Sequence, residues 1–404
     1  MDTALPALAA LPPIPILERD ADAIAAAHRL AAAYLPGAAA RDRDRILPHA
    51  EVDQYSATGL GGITVPREHG GPDLSAATLA EVTAVISAAD PSLGQIPQNH
   101  HGFVRLLRYE PDPAKAALFF RLALQGARFG NALAESGGKT TRDVAARMRR
   151  VPGGWVLDGT KQYSTGALFA HYVPVQALDE DGLARRAVAL RDAPGLTVVD
   201  DWSSFGQRTT ASGTVVLDGV FVPDSNVIAA YAASAKPTLY GPVSQIMQAA
   251  IDLGIARGAV TDTIEFVRTR SRPWTDSGQD RAADDPYTIA AVGDLQVRLH
   301  AADALLHRAG LVIDEATKDE TADSVADASI AVAEAKVLTT EAAILATNKL
   351  FELAGTRSTL AEHGLDRHWR NARVHTLHDP VRWKFHAIGN HALNGIKPPV
   401  HAWI

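Results

Sequence analysis

The chain has 404 residues, 47% hydrophobic and 21% charged, with a formal net charge of -7. That is the composition of a folded globular protein; it excludes disordered and fibrous classes, and the interspersed negative excess gives nucleic acid no electrostatic reason to bind. Cysteine is absent, which excludes disulfides, thiolate nucleophiles and thiolate metal sites together.

The apolar stretch from Ala4 to Leu17 follows Asp2 and contains Pro6, Pro12, Pro13 and Pro15, which argues against an export signal and against a membrane span. No later apolar run approaches the ~20 residues that a bilayer crossing requires. The expectation is a soluble cytoplasmic protein with no membrane partner. From Ala21 to about Gln125, apolar residues recur at helical spacing, as in Ile24, Ala27, Ala31 and Tyr34, interrupted by the Gly-rich segment Gly59 to Gly71. This predicts an N-terminal helical domain over residues 1–125. Within it stands His100-His101; adjacent His residues cannot share a helix face, no His-Glu-x-x-His occurs, and no metal is expected. Two readings of the pair stay open: one His facing a pocket, or a buried His bonded to backbone.

Between Gly126 and Ala230 the pattern becomes short β-branched runs, such as Trp155-Val156-Leu157, Leu196-Thr197-Val198-Val199 and Thr214-Val215-Val216-Leu217, separated by Gly-containing turns. This predicts a compact β domain over residues 126–230. Its segment Glu135-Ser136-Gly137-Gly138-Lys139-Thr140-Thr141 lacks the first Gly of a triphosphate loop and sits in a β context, so it leaves only backbone N–H groups to offer a ligand. Tyr163, Ser164 and Thr165 place an aromatic ring and two hydroxyls on one strand, a combination suited to a planar heteroaromatic, although Tyr and Thr are also ordinary strand residues.

After Pro237, long stretches of three- and four-residue apolar spacing return over Met247 to Arg270, Ile289 to Thr317 and Ser324 to Leu353, with Pro273 to Pro286 as a loop. They predict a C-terminal bundle of antiparallel helices over residues 231–404. Arg270, at the end of the first helix, either complements the helix dipole or grips a phosphate. The densest chemistry lies between Asp366 and Pro380, where His368, His375 and His378 accompany Trp369 and several charges. Asp366 and Arg370 are spaced as an i,i+4 pair, and Asp379-Pro380 ends the helix, leaving His378 and Asp379 at its terminus. Spacing alone favours a surface salt-bridge ladder there over a reacting site.

Taken together, these segments resemble the acyl-CoA dehydrogenase superfamily in domain order. Ala132-Leu133-Ala134-Glu135-Ser136-Gly137-Gly138 and Trp155 to Gly166 are similar to its two flavin loops. Phe266-x-x-x-Arg270, Phe351-Glu352-Leu353-Ala354-Gly355-Thr356 and Arg367-x-x-Arg370-Asn371-Ala372-Arg373 are similar to its bundle signatures. The resemblance implies a mostly α, α+β fold: N-terminal helices, a central β-barrel and a C-terminal four-helix bundle. Where the dehydrogenases carry a Glu base, the chain reads Leu377-His378-Asp379-Pro380. That string resembles the flavin monooxygenase branch, which includes dibenzothiophene monooxygenases and SfnB-type sulfur-acquisition oxidoreductases.

This branch implies reduced FMN, with FAD as the alternative, supplied by a separate flavin reductase. Oxygen captured at flavin C4a is passed to a small organosulfur substrate. The resemblance puts Asn131, Ala134, Tyr163, Ser164, Thr165, Trp202, His375 and His378 at the flavin. It gives catalytic parts to His378, Asp379, Ser164 and His101, and has Arg270 reach the flavin phosphate across a subunit boundary of a homotetramer. Two rival expectations are a flavin dehydrogenase with Asp379 as base and a flavin-binding scaffold without turnover.

Overall fold

The computed structural model describes residues 14–140 and 143–404. Residues 4–13 of the Pro-broken N-terminal stretch, and Thr141 of the Gly-rich segment, lie outside the described residues. Six helices come first: α1 Asp20–Asp44, α2 His49–Ala57, α3 Ala76–Ala89, α4 Pro91–Gln95, α5 Gln98–Leu107 and α6 Pro113–Leu124. Their starts are written locally. Ser75 caps α3 by accepting from Thr78 N–H, and Asp90 and Asp112 cap α4 and α6 ahead of a proline in the first turn, a position where the missing N–H costs nothing.

Seven strands follow: β1 Arg147–Val151, β2 Gly154–Lys161, β3 Tyr172–Leu178, β4 Ala184–Leu190, β5 Leu196–Val199, β6 Thr214–Pro223 and β7 Val227–Ile228. They form one sheet in the order β5-β6-β2-β1-β3-β4-β7. All pairings are antiparallel except β1 with β3. The expected barrel is thus an open sheet. Its edge strands have four and two residues; short edges blunt unwanted pairing without the long ladders that closure requires.

Five helices complete the chain: α7 Tyr240–Thr269, α8 Pro286–Ala316, α9 Ala322–Ala354, α10 Asp366–His375 and α11 Val381–Asn394. α7 is the central rod, buried on nearly all sides against α3, α8 and α9, which is why its sequence is apolar around most of its circumference. Small residues let it approach α3: a Cβ at Gly254 would stand 2.4 Å from Ser87 Cβ, and one at Gly258 would stand 2.5 Å from the Ala88 carbonyl. No helix among the described residues is long and apolar enough to cross a membrane.

Candidate functional site

The sheet side of the site begins where β2 ends. Lys161, fully buried, forms an ion pair with Glu135, whose carboxylate also accepts from Ala145 N–H at 2.6 Å and Ala146 N–H at 3.0 Å. Gln162 N–H donates to Ala134 O at 2.9 Å, and its side-chain oxygen accepts from Ser136 N–H at 2.6 Å. These bonds clamp the two Gly-containing loops together. Tyr163 then turns left-handed at φ +53°, a conformation uncommon for a bulky residue and one that often marks function. Tyr163, Ser164 and Thr165 therefore lie in a turn beyond β2, not on the strand expected for them.

The Tyr163 ring is 59% exposed and stands edge-on to Trp202 at 6.2 Å. Trp202 is itself fixed by donating Nε1–H to Gln207 O at 2.9 Å. Thr165 closes a hydroxyl chain through Ser212 and Thr210, at 2.6 and 2.7 Å. Asn131 donates to Tyr163 O at 3.1 Å. Its Oδ1 and the Ser164 Oγ are buried with no hydrogen-bond partner among the described residues, a cost native proteins rarely carry without a ligand or water to relieve it. Gln207 N–H donates to Asn371 Oδ1 at 2.7 Å, which docks this loop region onto α10.

The bundle side is a buried polar network. α7 presents Gln245, Gln248 and Asp252 at i, i+3 and i+7, one face of a helix. Asp252 accepts from Lys336 Nζ at 2.6 Å and Thr340 Oγ1 at 2.8 Å, and meets His375 Nδ1 at 2.5 Å. The other His375 nitrogen meets Gln248 Oε1 at 2.8 Å, and Gln248 Nε2 faces His378 Nε2 at 3.5 Å. His378 Nδ1 lies 3.0 Å from Asp379 Oδ1, and Lys384 Nζ lies 3.1 Å from Asp379 Oδ2. Lys384 and Gln245 are tied in turn to the carbonyls of Trp403 and Ala402.

Burial alone would raise the Asp252 carboxyl, but Lys336 and His375 beside it outweigh that and hold it at about 2. Asp379 is likewise opposed by burial, yet the His378 hydrogen bond and the Lys336 and Lys384 charges keep it far below the carboxylate range. A carboxylate so firmly ionised, and only 3% exposed, is a poor general base, whose pKa should lie near the working pH. The Asp379-as-base reading loses its support. Burial also lowers the His375 imidazole.

His375 was expected at the cofactor. Its side chain is fully buried and both ring nitrogens are engaged, so it stands one layer back as a support. His378, with its side chain 34% exposed, is the network member at the surface. It falls between α10 and α11, since α10 already ends at His375. The expected Asp366–Arg370 pair forms at 2.8 Å, but the ladder reading fails for the rest of α10: Arg367, His368, Asn371 and His375 are buried.

Arg270 is exposed past the end of α7, 3.3 Å from His363. Gln248 and Arg270 are separated by about 33 Å at 1.5 Å per residue along the helix, so one chain cannot bring Arg270 to the His378 site. His101 is 2% exposed and held by the Tyr55 hydroxyl at 2.8 Å. His100 bonds Gly61 O at 2.7 Å, the backbone-bonded alternative for the pair. Sequence reasoning missed Gln248, Asp252, Lys336, Lys384 and Arg186. The polar trio on an otherwise apolar α7 was a readable signal for the first two.

The neutral buried histidines have a measurable consequence. Burial pushes His100 and His171 to about 4, and His101 well below its usual value. Between about pH 6.5 and 4 the unfolded chain binds protons that the folded chain excludes, so stability falls as pH falls, by on the order of 3 kcal/mol for His100. Thermal melts should lose stability steeply across this window and little between pH 7 and 8. A profile flat from pH 7 to 4 would contradict it.

The orphaned Asn131 Oδ1 and Ser164 Oγ, the outward Tyr163 ring and the Trp202 wall fit the edge and face of a flavin. Comparison with known proteins points to the same cofactor. Residues 18–123 match the model of the acyl-CoA dehydrogenase N-terminal domain and residues 246–383 that of its C-terminal domain. A dibenzothiophene monooxygenase of Rhodococcus qingshengii is 33% identical over 395 residues, covering 94% of this chain and 95% of that one. FMN-bound TdsC from Paenibacillus sp. A11-2 superposes with a TM-score of 0.89 at 30% identity, over 95% of this chain and 100% of that one. The methanesulfinate monooxygenase MsuC from Pseudomonas fluorescens does so with a TM-score of 0.88 at 29% identity, over 94% and 99%. The chain belongs to the acyl-CoA dehydrogenase superfamily, in its flavin-dependent monooxygenase branch.

Proposed function

We propose that this protein is a reduced-flavin-dependent monooxygenase that oxygenates a small organosulfur compound in sulfur acquisition, drawing reduced FMN from a separate flavin reductase. The observation that carries this reading is His378: an accessible imidazole, backed by the ionised Asp379, where the dehydrogenase pattern requires a free carboxylate base. Asn131, Ala134, Tyr163, Ser164, Thr165 and Trp202 would hold the FMN ring, with FAD as the alternative. Bound and reduced, FMN activates molecular oxygen.

The protein's own part is protonic and steric. The Asp379 carboxylate favours the tautomer with hydrogen on His378 Nδ1, which leaves the Nε2 lone pair to take and return a proton. His375, held by Asp252, orients Gln248, and Gln248 limits where the His378 ring points. Ser164 Oγ and Asn131 Oδ1 supply the edge hydrogen bonds. Trp202 walls the ring against water, which otherwise competes at the reacting centre. Arg270, exposed and remote within its own chain, serves the phosphate of a neighbouring subunit's flavin in a cytoplasmic homotetramer.

The test is aerobic turnover with FMN, a flavin reductase and NADH across sulfides, sulfoxides, sulfones and sulfinates, with products weighed by mass spectrometry. One oxygen atom from labelled O2 should appear in product. No product from any class, together with unquenched FMN fluorescence, overturns the reading. Anaerobic bleaching of oxidised flavin by an acyl-CoA would instead favour a dehydrogenase.

A further inference from the structure

A small polar cavity reaches the Tyr163 turn through Asn131, with a volume of about 30 Å³, room for a few water-sized groups and so for a short ion, not a bulky ring. Gln98 and Asn99 of α5, Asn131, Arg186 of β4, and Tyr240 and Ser244 of α7 line it. No carboxylate among the described residues does. Arg186 is only 4% exposed, and its guanidinium has no hydrogen bond or ion pair with any described residue, its Nη1 being buried outright. The charged and titratable neighbours that act on it include no carboxylate: Lys161, already paired with Glu135, repels it, and Tyr240 offers only a phenol. A buried cation without a partner is among the costliest arrangements a fold can keep.

The cavity is also placed for chemistry. Asn131 joins it to the Tyr163 turn at 3.1 Å. Ser244 lies one helical turn before Gln248, which faces His378, so the cavity and His378 share one face of α7. A molecule seated on Arg186 would therefore touch Asn131, which bonds the Tyr163 turn, and Ser244, one turn of α7 from Gln248.

Resting on the monooxygenase reading, we propose that Arg186 recognises the substrate as an anion, and that the oxygen acceptor is a short organosulfur anion such as an alkanesulfinate, not a neutral sulfide. The overall step balances as sulfinate, oxygen and reduced FMN giving sulfonate, oxidised FMN and water. Sulfur loses two electrons and gains one oxygen atom, the flavin and its reductase supply two electrons, and the second oxygen leaves as water. Arg suits this ligand because its planar fork donates two parallel hydrogen bonds to paired oxygens.

The experiment is calorimetric titration of the FMN-saturated protein with methanesulfinate and with dimethyl sulfoxide, a neutral molecule of nearly the same pyramidal shape. Methanesulfinate should bind at least tenfold more tightly, Arg186→Met should abolish that preference, and Arg186→Lys should retain part of it. Arg186→Met should also melt no lower than the parent protein, because it removes an unpaired buried charge; Arg186→Gln is the second neutral variant. Equal binding of the two ligands by the parent protein, or an anion preference that survives in both neutral variants, overturns the proposal. Oxygenation of neutral sulfides without anion preference would overturn this assignment and leave the monooxygenase reading standing.

Discussion

Replacement of His378 by alanine should lower oxygenated product by about 10²-fold or more, the usual weight of a positioned acid–base group, while FMN binding stays near the parent value. The separation follows from geometry. The ring-holding groups Asn131, Tyr163, Ser164 and Trp202 come from the sheet side, and His378 comes from the bundle. Reductant should still be consumed, with its equivalents emerging as hydrogen peroxide instead of product. Product yield, peroxide yield and FMN fluorescence quenching measured together distinguish this from simple unfolding. Unchanged product in the variant would remove the proton-handling role from His378. Asp379→Asn should show a milder version of the same defect, because the neutral amide no longer enforces the His378 tautomer.

The largest effect on stability is expected at Asp252→Ala. Lys336 and His375 meet this carboxylate at 2.6 and 2.5 Å, and all three side chains are fully buried. Removing it strands a buried ammonium, which costs about 3–5 kcal/mol, a large share of a typical folding free energy. Urea unfolding should record that loss, and activity should fall with it as Gln248 and His378 lose their support. The double variant Asp252→Leu/Lys336→Met, which removes both charges, should recover most of the stability but not the activity. Failure of the double variant to recover any stability would show that the pair matters for more than its charges. The pH sign is also set: the Asp252 carboxyl, held at about 2 when folded, contributes stability that is present above about pH 4 and lost as pH falls toward 2.

Much of the fold was legible in advance because it is periodic. Three- and four-residue apolar spacing located α7, α8 and α9, and the β-branched runs located β2, β5 and β6. The barrel was not so readable, since closure depends on how long the edge strands are and what they pair with. The Tyr163 segment looked like strand because Tyr and Thr are common there, and only the left-handed turn at Tyr163 takes it out of the sheet. The segment from Asp366 to Pro380 was read as surface because charge usually is. Burial reversed that: Asp252 and Asp262, far away in sequence, pair with His375, Arg367 and His368.

The sequence by itself determined the order of helical, sheet and bundle segments, the absence of thiol chemistry and the family resemblance, because composition, periodicity and short strings are properties of neighbours along the chain. The tertiary structure alone decided that His375 stands behind His378, that Asp379 is held ionised by His378, Lys336 and Lys384 together, and that Arg186 is buried without a partner among the described residues. Each of those depends on desolvation and on groups that only folding brings together, such as Asp252 with His375 and Lys336 with Asp379, and no local pattern encodes them.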